Sequence, residues 1–168
     1  MKDFLRGLAA AMALSTVVLA TTLPAGAWTT QPPNPIVPWT MYPGGYCALG
    51  GGAWGTQPGA GGTHYQVNAS TVSQKTPSGS GSCTATSSAP YNTMAVQARI
   101  QKQTSSGWVD CKSTLVVYNA ANSWYAQVNV DGDVLGCGSG NYRLATDHRI
   151  IYGGTPQYKT FTSSSVAL

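Results

Sequence analysis

The sequence predicts an all-β protein: a small antiparallel two-sheet β-sandwich with two disulfides and an extended, proline-rich N-terminal arm. Three observations carry that prediction. Residues 94–152 read as short segments with apolar side chains at alternate positions, the period of a half-buried strand. Clusters of Gly, Asn, Asp and Ser interrupt the run where turns belong. Four cysteines, Cys47, Cys83, Cys111 and Cys137, follow an apolar leader, an even count that suits an oxidising compartment.

In chain order, residues 1–27 have the form of a secretory signal peptide. Lys2 and Arg6 give a basic start, 7–21 is apolar, and Leu23-Pro24-Ala25-Gly26-Ala27 supplies small residues for cleavage. The apolar run falls short of the roughly 20 residues that span a bilayer, and no later segment approaches that length. The protein is therefore expected to be secreted, with no membrane span.

Residues 28–41 contain four prolines among apolar side chains, which excludes helix and central strand. Trp28, Ile36, Val37 and Trp39 are costly to leave in water. Such an arm, already restricted by its prolines, suits docking either on its own domain or in a groove of another extracellular protein. Residues 43–62 include nine glycines, with Tyr46, Cys47 and Trp54 among them. That composition is expensive to order, so a disulfide and the aromatics are expected to pin this segment to the sheet. The arm and glycine-rich segment, 28–62, thus precede a sandwich expected over 63–168.

Within that sandwich, 64–71 sets Tyr65, Val67 and Ala69 on one face, and 77–90 is a loop held by Cys83. Met94, Val96, Ala98 and Ile100 share the next buried face, and Thr104-Ser105-Ser106-Gly107 turns the chain. A strand over 108–118 is expected to bury Val109, Cys111, Leu115 and Val117 and to turn Trp108, Val116 and Tyr118 the other way. Residues 119–123 form a turn. Trp124, Ala126, Val128 and Val130 then alternate with Tyr125, Gln127 and Asn129. Asp131-Gly132 is a hairpin signal, and 138–140 is another break. A last strand over 141–152 places Tyr142, Leu144 and Ile150 together. There is no internal repeat and no sign of a second domain.

Four cysteines allow three pairings, of which Cys47–Cys83 with Cys111–Cys137 joins neighbouring segments. Loops of this size should each contribute about 3 to 4 kcal/mol through the unfolded state. A zinc site would need close pairs such as C-x2-C, and none is present.

Charged residues make up 8% of the chain, against about 25% in an ordinary domain, and there is no Glu. The surface must be mostly Ser, Thr, Gly, Asn and Gln. The basic residues are scattered without a stripe, which excludes nucleic acid and a polybasic membrane patch.

Catalytic chemistry has little to draw on. His64 and His148 are the only histidines, and His148 adjoins Asp147, which on a strand faces the opposite way. A glycosidase needs two carboxylates across a cleft, and only Asp131 and Asp133 lie close, where turn chemistry explains them. Asn129-x-Asp131-x-Asp133 begins like a calcium loop but lacks its terminal Glu. Asn68-Ala69-Ser70 fits the glycosylation pattern, to which we attach no role. No catalytic residue, cofactor or metal ligand is expected. Trp108, Tyr118 and Tyr125, on faces opposite the core, could stack on a glycan or anchor a protein, unless the glycine-rich segment folds over them.

The strand Ala98-Arg99-Ile100-Gln101, the Gly107-Trp108-Val109 entry and Cys137-Gly138-Ser139-Gly140-Asn141-Tyr142-Arg143 resemble features of small exported β-sandwich proteins of actinobacteria and other Gram-positive bacteria. The resemblance covers roughly residues 93 to 152 and implies a sandwich fold. Some such proteins resemble adaptor or accessory subunits of secreted complexes, including toxin particles. It implies a secreted, non-catalytic binding or adaptor module, and transfers no functional residue. A secreted enzyme inhibitor presenting the 77–90 loop, or a carbohydrate-binding module, are the alternatives.

Overall fold

A computed structural model describes the backbone of residues 28–42, 45–75 and 83–168, and the side chains of these except 35–42. The leader, part of the 77–90 loop and the side chains of Ile36, Val37 and Trp39 lie outside the described residues. Twelve strands run β1 (Thr29–Thr30), β2 (Asn34–Tyr42), β3 (Tyr46–Gly59), β4 (Gly62–Lys75), β5 (Ala85–Thr86), β6 (Met94–Thr104), β7 (Gly107–Ser113), β8 (Val117–Tyr118), β9 (Tyr125–Val134), β10 (Asn141–Tyr152), β11 (Thr155–Thr162) and β12 (Val166–Ala167). No helix occurs among the described residues.

The strands form two antiparallel sheets. In the first, β3 and β4 are central, β1 and β2 flank β3, and β9 and β5 flank β4. In the second, β6 and β10 are central, β7 and β8 flank β6, and β11 and β12 flank β10. Alternation decides what lies between them. Met94, Val96, Ala98 and Ile100 of β6 and Tyr142, Leu144 and Ile150 of β10 meet Trp54, Tyr65, Val67, Ala69, Ala126 and Val128 of the first sheet.

Both disulfides pair as expected, Cys47 with Cys83 and Cys111 with Cys137, at Cα separations of 6.2 and 6.0 Å. The first seals a satellite cluster with Leu49 and Val72. Leu49 and Val72 pair on the outer face of the first sheet, so Cys83, just before β5, is held at one end of that face.

Four expectations need correction. The glycine-rich segment does not cover the sheet; residues 46–59 are a central strand of it, and the sandwich begins at Thr29. Glycine is needed there because the two sheets approach closely. A Cβ on Gly50 would stand 2.6 Å from the His148 ring. Trp108, Tyr118 and Tyr125 are accordingly left uncovered by it.

The expected strand over 108–118 is broken. Cys111 is an extra residue between the pairs Gln101↔Asp110 and Ile100↔Lys112. Past it, the Thr114 hydroxyl takes the Ala98 amide hydrogen at 3.0 Å, in place of a ladder carbonyl, and the chain leaves the sheet. Leu115 is then 86% exposed, and Val109, opposite Lys102 beyond the core, 44%. Cys111 and Val117 do reach the core.

Asp131-Gly132 is a bulge, not a hairpin. The register steps from Val67↔Val130 to Tyr65↔Asp133, so two residues oppose Gln66, and Gly132 takes φ 82°. Finally, Trp124 precedes β9 and is exposed instead of sharing the core with Ala126 and Val128.

The arm is an edge strand. β1 and β2 pair with β3, with register shifts at Asn34/Val37 and Pro38/Thr40, as prolines require. Gln31 Nε2 donates to Thr56 Oγ1 at 2.7 Å, and Trp54 Nε1 donates to the Pro32 carbonyl at 3.1 Å.

Candidate functional site

An active site in this fold would have to be built from its titratable groups. His148 lies buried between the sheets. The Thr71 hydroxyl donates to the Ala95 carbonyl at 2.7 Å, so it accepts from His148 Nδ1 at 2.9 Å. That leaves Nε2 to accept from Thr146 Oγ1 at 2.8 Å, and Thr146 in turn accepts from Asn34 Nδ2 at 3.2 Å. Every bond in this chain runs one way, and all are satisfied by a neutral imidazole. Burial pushes the His148 pKa down to about 4, against a smaller opposing pull from Asp147. His148 is thus a core group.

His64 is half-buried at the β3–β4 turn. Its Nδ1 meets the Gly132 carbonyl at 2.7 Å and its Nε2 the Ala60 carbonyl at 3.0 Å. Two carbonyls only accept, so the imidazolium alone can satisfy both. The Gly132 bond, then the Ala60 bond, raise its pKa above the usual value, with burial opposing and Asp133 adding.

Asp147 points away from His148. On the outer face of the second sheet, Arg99 grips it through Nε–Oδ2 at 2.6 Å and Nη2–Oδ1 at 2.9 Å, and Thr160 Oγ1 donates to it at 2.6 Å. Arg99 also reaches Asp110 at 3.4 Å, Gln101 Nε2 donates to Asp110 at 2.9 Å, and Arg143 Nε donates to Gln101 at 2.9 Å. This network fixes a platform on which two arginines lie over aromatic rings. The Arg143 guanidinium is 4.3 Å from the Trp108 ring centre and that of Arg149 5.6 Å from Tyr118. Arg149 Nε is enclosed there without a hydrogen-bond partner. Tyr118, Ala95, Arg149 and Tyr158 follow one another in register across four strands. Beside them Gln97, Val116, Arg149 and Tyr158 line a shallow cavity of about 130 Å³.

Among the candidates from the sequence, Trp108 and Tyr118 both lie on this face, but at opposite ends of β6, across from Gln103 and Ala95 and about 26 Å apart at the strand rise. Trp108 is half-buried under Arg143, and Tyr118 is 44% exposed. Tyr125 lies on the other sheet, 40% exposed, with its ring edge-on to Trp124 at 4.8 Å. Trp28, half-buried, precedes β1. Arg143, Arg149 and Tyr158 were missed by sequence reasoning. The first two could have been found, since they alternate with Tyr142, Leu144 and Ile150.

Asp131 and Asp133 straddle the bulge, and Asp133 falls opposite the inward-facing Tyr65. Among the described residues no three His, Cys, Asp or Glu side chains gather into a set that could hold a metal. No helix there is long and apolar enough to cross a membrane. Asn68 sits mid-strand, its Nδ2 donating to Asn129 Oδ1 at 2.6 Å. No family model, curated protein or solved structure matches the chain.

Proposed function

We propose that this is an exported, non-catalytic binding or adaptor module, which engages another extracellular protein through the outer face of the β6–β10 sheet. The observation that carries the proposal is the pair of arginine–aromatic stacks, Arg143 on Trp108 and Arg149 on Tyr118. Trp, Tyr and Arg dominate the energetics of protein interfaces, and rings already held in place lose little entropy on binding. The Arg99–Asp147–Asp110 network holds the platform rigid, while Tyr158 and Val116 add apolar contact.

The two histidines support a non-catalytic role, since each is committed to holding strands together. The face is favoured over the arm as the contact, because the arm's backbone pairs with β3 and its Asn34 enters the core. Two disulfides are compatible with life outside the cell.

The test is affinity recovery from native culture fluid with mass spectrometry, using the wild type and a Tyr118→Ala/Arg149→Glu variant of equal melting temperature. A protein encoded by the same organism should be recovered with the wild type and lost with the variant. Equal recovery by both would overturn the proposal, as would a foreign protease held through the 77–90 loop.

A further inference from the structure

The other sheet presents a surface of different chemistry. Its outer face carries cross-strand rows: Ala53–Asn68–Asn129, and one step along, Gly51–Ser70–Gln127. Beyond the first row lie Gln66 and Asp131, the latter placed by the bulge. Thr30, Ala53, Gln66, Asn68, Asn129 and Asp131 line a cavity of about 440 Å³, within the range of small-molecule sites. The small Ala53 side chain leaves its floor low, and Thr30 closes one side from β1.

These groups have a common character. The Asn68–Asn129 bond uses one hydrogen of Asn68 and the carbonyl of Asn129, so Asn68 keeps an acceptor and Asn129 its donors. Gln66, Gln127, Ser70 and Thr30 also offer both donors and acceptors. No Lys or Arg lies on these rows, and one carboxylate, Asp131, lies just beyond them. Four residues along β9 from Asn129, about 13 Å at the strand rise, Tyr125 stands exposed against Trp124. A strip of amides and hydroxyls ending in an aromatic pair matches a molecule with vicinal hydroxyls on its edges and an apolar ring face.

We infer that this strip binds a linear, neutral glycan lying along β4 and β9. Its hydroxyls pair with Gln66, Asn68, Asn129 and Asp131, and one sugar stacks at Tyr125. An acidic glycan is disfavoured by Asp131 and by the lack of a cation. The inference does not rest on the protein-binding face, which belongs to the opposite sheet. With both, the module would join a glycan to a protein.

Nuclear magnetic resonance titration of the full exported chain tests it, with cellopentaose and N-acetylchitopentaose as neutral probes and pentagalacturonate as an acidic one. One neutral probe should shift the side-chain amides of Asn68 and Asn129 and the Tyr125 ring. Its affinity should fall about tenfold in Asn129→Ala and in Tyr125→Ala, and stay unchanged in Arg149→Glu. Should Asn129→Ala melt lower, Gln66→Ala carries the same expectation. Absence of shifts with both neutral probes, preference for the acidic one, shifts confined to the β6–β10 face, or unaltered affinity in the strip variants would each overturn the inference.

Discussion

Gly50 and His148 face each other across the sandwich so closely that a Cβ on Gly50 would lie 2.6 to 2.8 Å from three atoms of the imidazole. The ring cannot retreat, because Thr71 and Thr146 hold its two nitrogens and Phe161 packs edge-on at 5.5 Å. A central strand without a side chain at this point and a buried polar ring are therefore one feature.

Gly50→Ala should destabilise the fold by about 1 to 3 kcal/mol through overpacking. The denaturation midpoint in urea measures it. Gly50→Ala combined with His148→Ala should recover part of the loss, as coupled neighbours do. An additive double variant would argue against direct contact.

Folding should weaken in acid through His148. Its folded pKa, about 4, lies below the unfolded 6.5, so the unfolded chain takes the proton first. The contribution is complete above pH 6.5 and is lost as pH falls from there toward 4, to a total of about 3 kcal/mol. Carboxylates also titrate near the lower end, so unfolding free energies of the wild type and His148→Gln should be compared from pH 7 to 4.5. The slope should be shallower in the variant.

His64 should behave in the opposite sense. Its folded pKa is raised by the Gly132 and Ala60 carbonyls, so its contribution is complete below 6.5 and lost as pH rises through the raised value. Above that pH one nitrogen becomes a lone pair facing a carbonyl oxygen. The ring proton resonances should titrate above 6.5, and amides near Gly132 and Ala60 should exchange faster with solvent once it deprotonates. A midpoint below 6.5 would contradict the two-carbonyl geometry.

Asn34→Ala should cost about 1 to 3 kcal/mol, because Thr146 Oγ1 and the Phe161 carbonyl both lose a donor inside the sandwich. Deleting 28–41 removes the edge strand as well and should lower the melting temperature further. An unchanged melting temperature after the deletion would mean that the arm does not hold its own domain.

Periodicity alone determined which faces of β4, β6 and β10 are buried, since a strand's side chains must alternate and only one face was apolar. Cysteine spacing likewise indicated the pairing, because a short connection favours neighbours. The glycine-rich strand was illegible for a physical reason. Glycine has no side chain to show a period, and what it accommodates, His148, is 98 residues away in sequence yet in contact. The breaks at Cys111 and Asp131-Gly132 depend on cross-strand register, which a single segment does not contain. The same holds for both candidate surfaces. Arg149 meets Tyr118, and Asn68 meets Asn129, only after distant strands pair, and so tertiary structure decided them.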